Sequence, residues 1–142
     1  ALAPDLSWIG LYRSALWCMM DEPRQALLDA QVALRQTRPD DLHGYALGLA
    51  GHAALFAGQA AQAGHWLEES WRRHRFHSPT LRMLVVAHQM MGHASVARLF
   101  LRELLPLEPR LTARTYMGRA RAGHGRRAEM AHWLVQAGLP LK

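Results

Sequence analysis

Leucine, alanine, methionine and tryptophan recur at three- and four-residue spacing in successive stretches of this chain, and turn formers separate the stretches. Ala26, Leu27, Ala30, Ala33 and Leu34 fall on one helical stripe, as do Met130, Trp133 and Leu134. Val and Ile are few, and no alternating run is bounded by hairpin turns, so strands are not expected. Ala, Leu, Arg, Gln and Met dominate, and all favour helix. The pattern predicts a helix over 6–20, capped by Asp5 or Ser7. A turn at Asp21-Glu22-Pro23 leads into a second helix that ends before Arg38-Pro39-Asp40-Asp41. Helices over 42–57 and 60–74 flank Gly58. Ser78-Pro79 opens another that runs to Met91, with Ser78 as the capping residue. Gly92-His93 then turns the chain into a helix from Ala94 to Leu107, closed by Pro109. The last predicted helices cover 112–122 and 126–137, with Gly123-His124-Gly125 as their turn and Gly138 and Pro140 as the stop.

The helices repeat in pairs. Asp21, Gly58 and Gly92 each lie between two of them, at spacings of 37 and 34 residues. Each is followed five positions later by alanine: Ala26, Ala63 and Ala97. A two-helix unit of this length buries its apolar face only against its neighbours, and the stack presents an extended binding surface. The units fall at 7–40, 44–77 and 78–109, followed by a capping pair over 110–138, within a single domain 1–142.

The phasing of small residues resembles the tetratricopeptide repeat (TPR) family over residues 7–109. That family sets small residues where paired helices cross most closely. Here they are Ser14, Ala26 and Ala33 in the first unit and Gly51, Ala63 and Ser70 in the second. The third unit departs, with Val85, Ala97 and Leu104, and predicts wider helix separation there. Trp17 and Leu67 stand at large positions, and Leu107-Glu108-Pro109 is similar to the Leu-Asp-Pro ending of such repeats. The resemblance implies an all-α, right-handed TPR-like superhelix of about four antiparallel helix pairs. The ending Trp133-Leu134-Val135-Gln136-Ala137-Gly138-Leu139-Pro140 is similar to C-terminal TPR regions of bacterial winged-helix regulators and class III adenylate cyclases.

In such superhelices the first helix of each pair lines the concave face. Carried onto this chain, that face receives Trp8, Leu11, Tyr12 and Ala15, then Tyr45, Gly48, Leu49, His52 and Phe56, then Arg82, Met83, Val86 and Gln89. The groove would be largely apolar and aromatic, suited to an extended peptide or an amphipathic helix, with aromatic and Arg anchors among which Trp8, Tyr12, Tyr45, His52, Phe56, Arg82 and Gln89 are the candidates. The Lys, Asn and Arg set with which chaperone-binding members hold a C-terminal carboxylate is missing at Leu11, Ala15, Gly48, His52, Arg82 and Val86.

Charge adds an asymmetry. The net charge is +6. Residues 1–71 carry four Arg against eight acids, whereas 72–142 carry thirteen bases against three acids. Arg72, Arg73 and Arg75 gather with Trp71 and Phe76 at a helix end, where the helix dipole favours cations. Arg114, Arg119, Arg121, Arg126 and Arg127 flank the glycine turn. Such a basic half could hold nucleic acid, an anionic membrane surface or an acidic protein through charge.

Chemistry is sparse. Cys18 stands alone, which excludes an internal disulfide and a Cys-based zinc site and fits a reducing cytoplasm. Nine histidines include His74 and His77 three apart and His88 and His93 five apart. Neither pair has a carboxylate close in sequence, so no metal is expected and the histidines read as surface or capping residues. Nothing resembles a Ser-His-Asp, Cys-His or paired-carboxylate arrangement, and no enzyme activity or cofactor is expected. The start lacks a basic region followed by an apolar run, so no signal peptide is read there. No apolar run is long enough for a membrane span, and insertion is not expected. Without an initiator Met, the chain reads as part of a larger or processed protein.

The leading expectation is a cytoplasmic, non-enzymatic protein–protein interaction module, the C-terminal TPR region of a bacterial transcriptional or signalling regulator. Its partner would be a protein, a peptide or a second copy in a homodimer. The alternatives are a stand-alone TPR chaperone or adaptor, for example one serving secretion, and a nucleic-acid-binding helical repeat using the Arg-rich second half.

Overall fold

The computed structural model describes residues 6–38, 42–118 and 124–142, and these are all-helical, without strands. Eight helices are present among them: α1 (Leu6–Met19), α2 (Pro23–Gln36), α3 (His43–Phe56), α4 (Ala60–Arg73), α5 (Ser78–Met90), α6 (Ala94–Leu104), α7 (Ala113–Gly118) and α8 (His124–Ala137). They pack as hairpins. In the first, Ser14 Oγ donates to the Ala26 carbonyl at 2.7 Å. Arg13 and Trp17 of α1 both donate to the carboxylate of Asp29, one turn beyond Ala26 on α2. In the second, Gly51 faces Leu67 and Gly48 faces Ser70, so α3 and α4 also run antiparallel.

The turns between helices repeat at the level of individual hydrogen bonds. After α3, the Gly58 amide bonds the Leu55 carbonyl and the Gln59 amide bonds the Ala54 carbonyl. The same two bonds recur around Asp21, Gly92 and Gly138. This is the Schellman closure, which needs one residue in the left-handed region. The four residues have φ of 56, 77, 80 and 118 in chain order. The period in the sequence is therefore a period in backbone geometry. A Cβ at Gly58 would meet nothing within 4 Å, so Gly58→Ala tests the backbone alone. It is expected to lower stability by about 1 kcal/mol through left-handed strain, read as a lower urea midpoint at unchanged slope.

The odd-numbered helices touch one another, α1 against α3 and α3 against α5, with α2, α4 and α6 packed on them. Burial follows. α6 buries only the stripe Ala97, Phe100, Leu101 and Leu104, whereas α3 and α5 are buried on most faces. One core runs from Cys18 to Leu139, and Leu11, Ala33 and Ala46 form a second cluster at the N-terminal end. The third-unit residues Val85 and Leu104 are both fully buried.

Some local expectations change. Ser7 lies inside α1 and is buried, so it does not cap that helix, and Asp5 falls outside the described residues. Ser78 is the first residue of α5, and His77 takes the cap position. The His77 ring bonds the Thr80 hydroxyl at 2.8 Å, tying the helix start through a side chain. α6 stops at Leu104, short of Leu107. α8 starts at His124, so His124 and Gly125 belong to its first turn and not to a preceding loop.

The last pair is more than an end cap. The outward positions Glu129, His132 and Gln136 are exposed. The start of α8, however, reaches back along the stack, where Arg126 pairs with Asp21 at 3.2 Å across 105 residues of sequence. Arg126 also borders Leu55 and Met90, in the last turns of α3 and α5. α8 thus packs chiefly on α5, and its first turn reaches the turn after α1 through the Arg126–Asp21 pair.

Candidate functional site

A partly enclosed cavity of about 340 Å³ lies on the side of the odd-numbered helices. α1 supplies Trp8 and Tyr12, and α3 supplies Tyr45, Gly48, Leu49 and His52. The start of α5 adds His77, Pro79, Thr80, Arg82 and Met83, while Tyr116 of α7 and Arg127 of α8 close the remaining side.

The concave face implied by the family resemblance held most of this lining. Trp8, Tyr12, Tyr45, His52 and Arg82 come together as anticipated. Leu11 and Val86 do not belong to the surface: both are fully buried in the core. Their helices are packed on more than one side, so the stripe next to the groove is already core. Phe56 is also buried and away from the cavity, with its ring edge-on to His52 at 4.8 Å. Gln89 does not line the cavity, and its buried Oε1 has no hydrogen-bond partner.

Five lining residues were not anticipated: His77, Pro79, Thr80, Tyr116 and Arg127. The first three were within reach, because Pro79 and Thr80 lie one helical turn before Arg82 and Met83. Tyr116 and Arg127 were not, because their place depends on how the last pair folds back. Arg127 Nε and Nη2 donate to the Tyr116 carbonyl at 3.0 and 2.9 Å, and the guanidinium lies 4.2 Å from the Tyr116 ring. The pair therefore holds itself in position.

The groove is more polar than the sequence implied. Arg82 is 3.4 Å from Glu108, with both side chains largely buried. Thr80 Oγ1 stands 3.2 Å from Ser70 Oγ, joining α5 to α4 at the cavity edge. Tyr45 stacks on His74 at 4.0 Å and meets His77 edge-on at 5.1 Å. Burial, then the positive charges of Arg127 and Arg82, push His52 down to about 4, so the ring is neutral at pH 7. Burial, followed by His74 and Arg82, also lowers His77.

The described basic residues have separate surroundings. Arg72 pairs with Glu69 at 2.7 Å and Glu68 at 3.9 Å on its own helix. Arg75 covers the Trp71 ring at 4.0 Å. Arg73 and Arg114 are exposed, Arg126 binds Asp21 and Arg127 lines the cavity. Arg119 and Arg121 lie outside the described residues.

The histidine pairs separate as well. His74 and His93 are helix-cap residues. His88 is buried rather than superficial, and the fold brings it the carboxylate that its sequence neighbourhood lacks. Its Nε2 is 3.0 Å from Glu68 Oε1 and its Nδ1 is 3.2 Å from His93 Nδ1. Among the described residues no three His, Cys, Asp or Glu side chains are arranged to hold a metal ion. Burial pushes the Cys18 thiol up to about 12, which keeps it from acting as a thiolate nucleophile. No described helix is long and apolar enough to cross a membrane.

No family model matches the chain, and no curated protein matches it.

Proposed function

We propose that this chain is a TPR-like right-handed superhelix acting as a cytoplasmic, non-enzymatic protein-interaction module. Within that reading it is the C-terminal sensing or recruiting region of a bacterial transcriptional or signalling regulator. The observation that carries the interaction role is the aromatic and cationic groove built by α1, α3 and α5. Tyr12 and Tyr45 are 61% and 38% exposed there, beside Trp8 and Arg82. Exposed tyrosines around a concave surface, with an arginine within it, are the residue types that anchor protein interfaces. The recurring Schellman turns and hairpin pairs support the repeat reading, since each unit covers its apolar face with the next.

The test is affinity capture from bacterial lysate, with protein and nucleic acid both identified. Tyr12→Ala/Tyr45→Ala is expected to lose a protein that the wild type and Arg119→Ala/Arg121→Ala both retain. Recovery of nucleic acid that only the arginine variant loses would replace this reading with the nucleic-acid one.

A further inference from the structure

The cavity combines three properties that an open peptide groove does not require together. It is small: about 340 Å³ lies at the lower end of the range for sites that enclose small molecules. That volume holds a one- or two-ring compound, or the end of a chain, but not an extended segment. It is aromatic: Trp8, Tyr12 and Tyr45 line it, beside the buried Tyr116, whose ring lies under the Arg127 guanidinium. It is also unbalanced in charge. Arg127 and Arg82 line it, and no carboxylate does among the described residues. Glu108 offsets Arg82 from outside the lining. The Tyr116 carbonyl takes two donors of Arg127 but none of its charge. A cation facing a partly enclosed, low-dielectric space favours an anion entering it.

We infer that the cavity binds a compact aromatic carboxylate, its ring among Trp8, Tyr12 and Tyr45 and its anionic end toward Arg127 and Arg82. Guanidinium–carboxylate pairing supplies direction and aromatic contact supplies area. The neutral His52 ring, on the same wall, offers a donor or an acceptor without adding charge. This inference rests on the groove being a recognition surface and specifies what occupies its deepest part. The same chemistry is carried by a free small acid and by a peptide ending in an aromatic residue.

Calorimetric titration of the full chain at pH 7 separates these sources. The probes are 2-naphthoate against its neutral isostere 2-naphthamide, and the peptide Gly-Gly-Gly-Trp with a free against an amidated C-terminus. At least one acid is expected to bind about tenfold more tightly than its amide, the size of a charged hydrogen-bonded contact. Naphthoate alone assigns the site to a small molecule, the peptide alone to a chain terminus, and binding of both to either source. Arg127→Gln and Arg82→Gln should each remove most of the acid preference, while Arg127→Lys keeps more of it. Should Arg127→Gln lose its helical circular dichroism, Arg82→Gln and the wild-type acid-to-amide ratio decide. Equal binding of acid and amide, or binding of neither, overturns the inference. If it falls while Tyr12→Ala/Tyr45→Ala still abolishes partner capture, the protein-interaction reading stands alone. If the acid binds and capture ignores that variant, the anion site stands and the interaction reading falls.

Discussion

Leu67→Ala is expected to destabilise the protein by about 2–5 kcal/mol, and adding Gly51→Ala is expected to return part of that loss. Leu67 is fully buried where α3 and α4 cross. A Cβ built on Gly51 would lie 2.5 Å from Leu67 Cγ and 2.6 Å from its Cδ2. With Leu67 intact, Gly51→Ala forces that side chain aside in a filled core, a loss of about 1–3 kcal/mol. The helix preference of Ala over Gly offsets about 1 kcal/mol of it. Once Leu67 is truncated, the new methyl enters the vacated space, and the same substitution becomes neutral or favourable. The two changes are therefore coupled, and urea denaturation of both single variants and the double variant measures the coupling. Additivity within about 0.5 kcal/mol would show that the two side chains do not compete for one volume. The pair matters for the site because α3 carries Tyr45, Gly48, Leu49 and His52, and α4 sets how α3 is backed.

The second large effect is in pH. His52 takes up its proton near pH 6.5 when unfolded but only near pH 4 when folded. Between those values the unfolded chain binds more protons, so stability falls as pH drops through this window and the loss is complete below about 4. A shift of this size corresponds to roughly 2–3 kcal/mol, allowing for water in the cavity. His77 contributes in the same direction. His52→Gln, which keeps a polar side chain but cannot titrate, should flatten the profile. Between pH 7 and pH 4.5 the wild type is expected to lose clearly more stability than the variant. Parallel profiles for the two proteins would mean that His52 is not held neutral by its surroundings. The cause lies in burial and in Arg127 and Arg82, so Arg127→Gln should recover part of the depressed affinity for the proton.

Much of the helix pattern was legible because its signals are local. A Schellman closure demands a positive φ, and Gly58, Gly92 and Gly138 announce it without reference to the rest of the chain. Asp21 is the informative case. As one of the few residue types that tolerate the left-handed region, it was recognisable only through its phase with the glycines. The stripe Ala26, Ala30 and Ala33 is buried as a stripe, and Ser14 meets Ala26 as the repeat implied. The family resemblance, carried onto the chain, also gathered Trp8, Tyr12, Tyr45, His52 and Arg82 on one side.

Periodicity names a face of a helix but not how deep each member lies. On α3 and α5, apolar nearly all round, the angle between core and groove has no sequence marker, and so Val86 was assigned to the surface it backs. Depth, enclosure and charge balance came from contacts between residues far apart in the chain. The Arg126–Asp21 pair, Glu68 beside His88, and the closure of the cavity by Tyr116 and Arg127 belong to this class. The repeat phase and the turns were properties of the sequence alone, because each is set by torsion preferences and helical spacing within a few residues, whereas the aromatic face was what the family resemblance implied. That the groove deepens into a partly enclosed cavity lined by two arginines, with no carboxylate in its described lining, was decided by tertiary structure alone, because the field inside it depends on which distant charges the folded chain brings to one space.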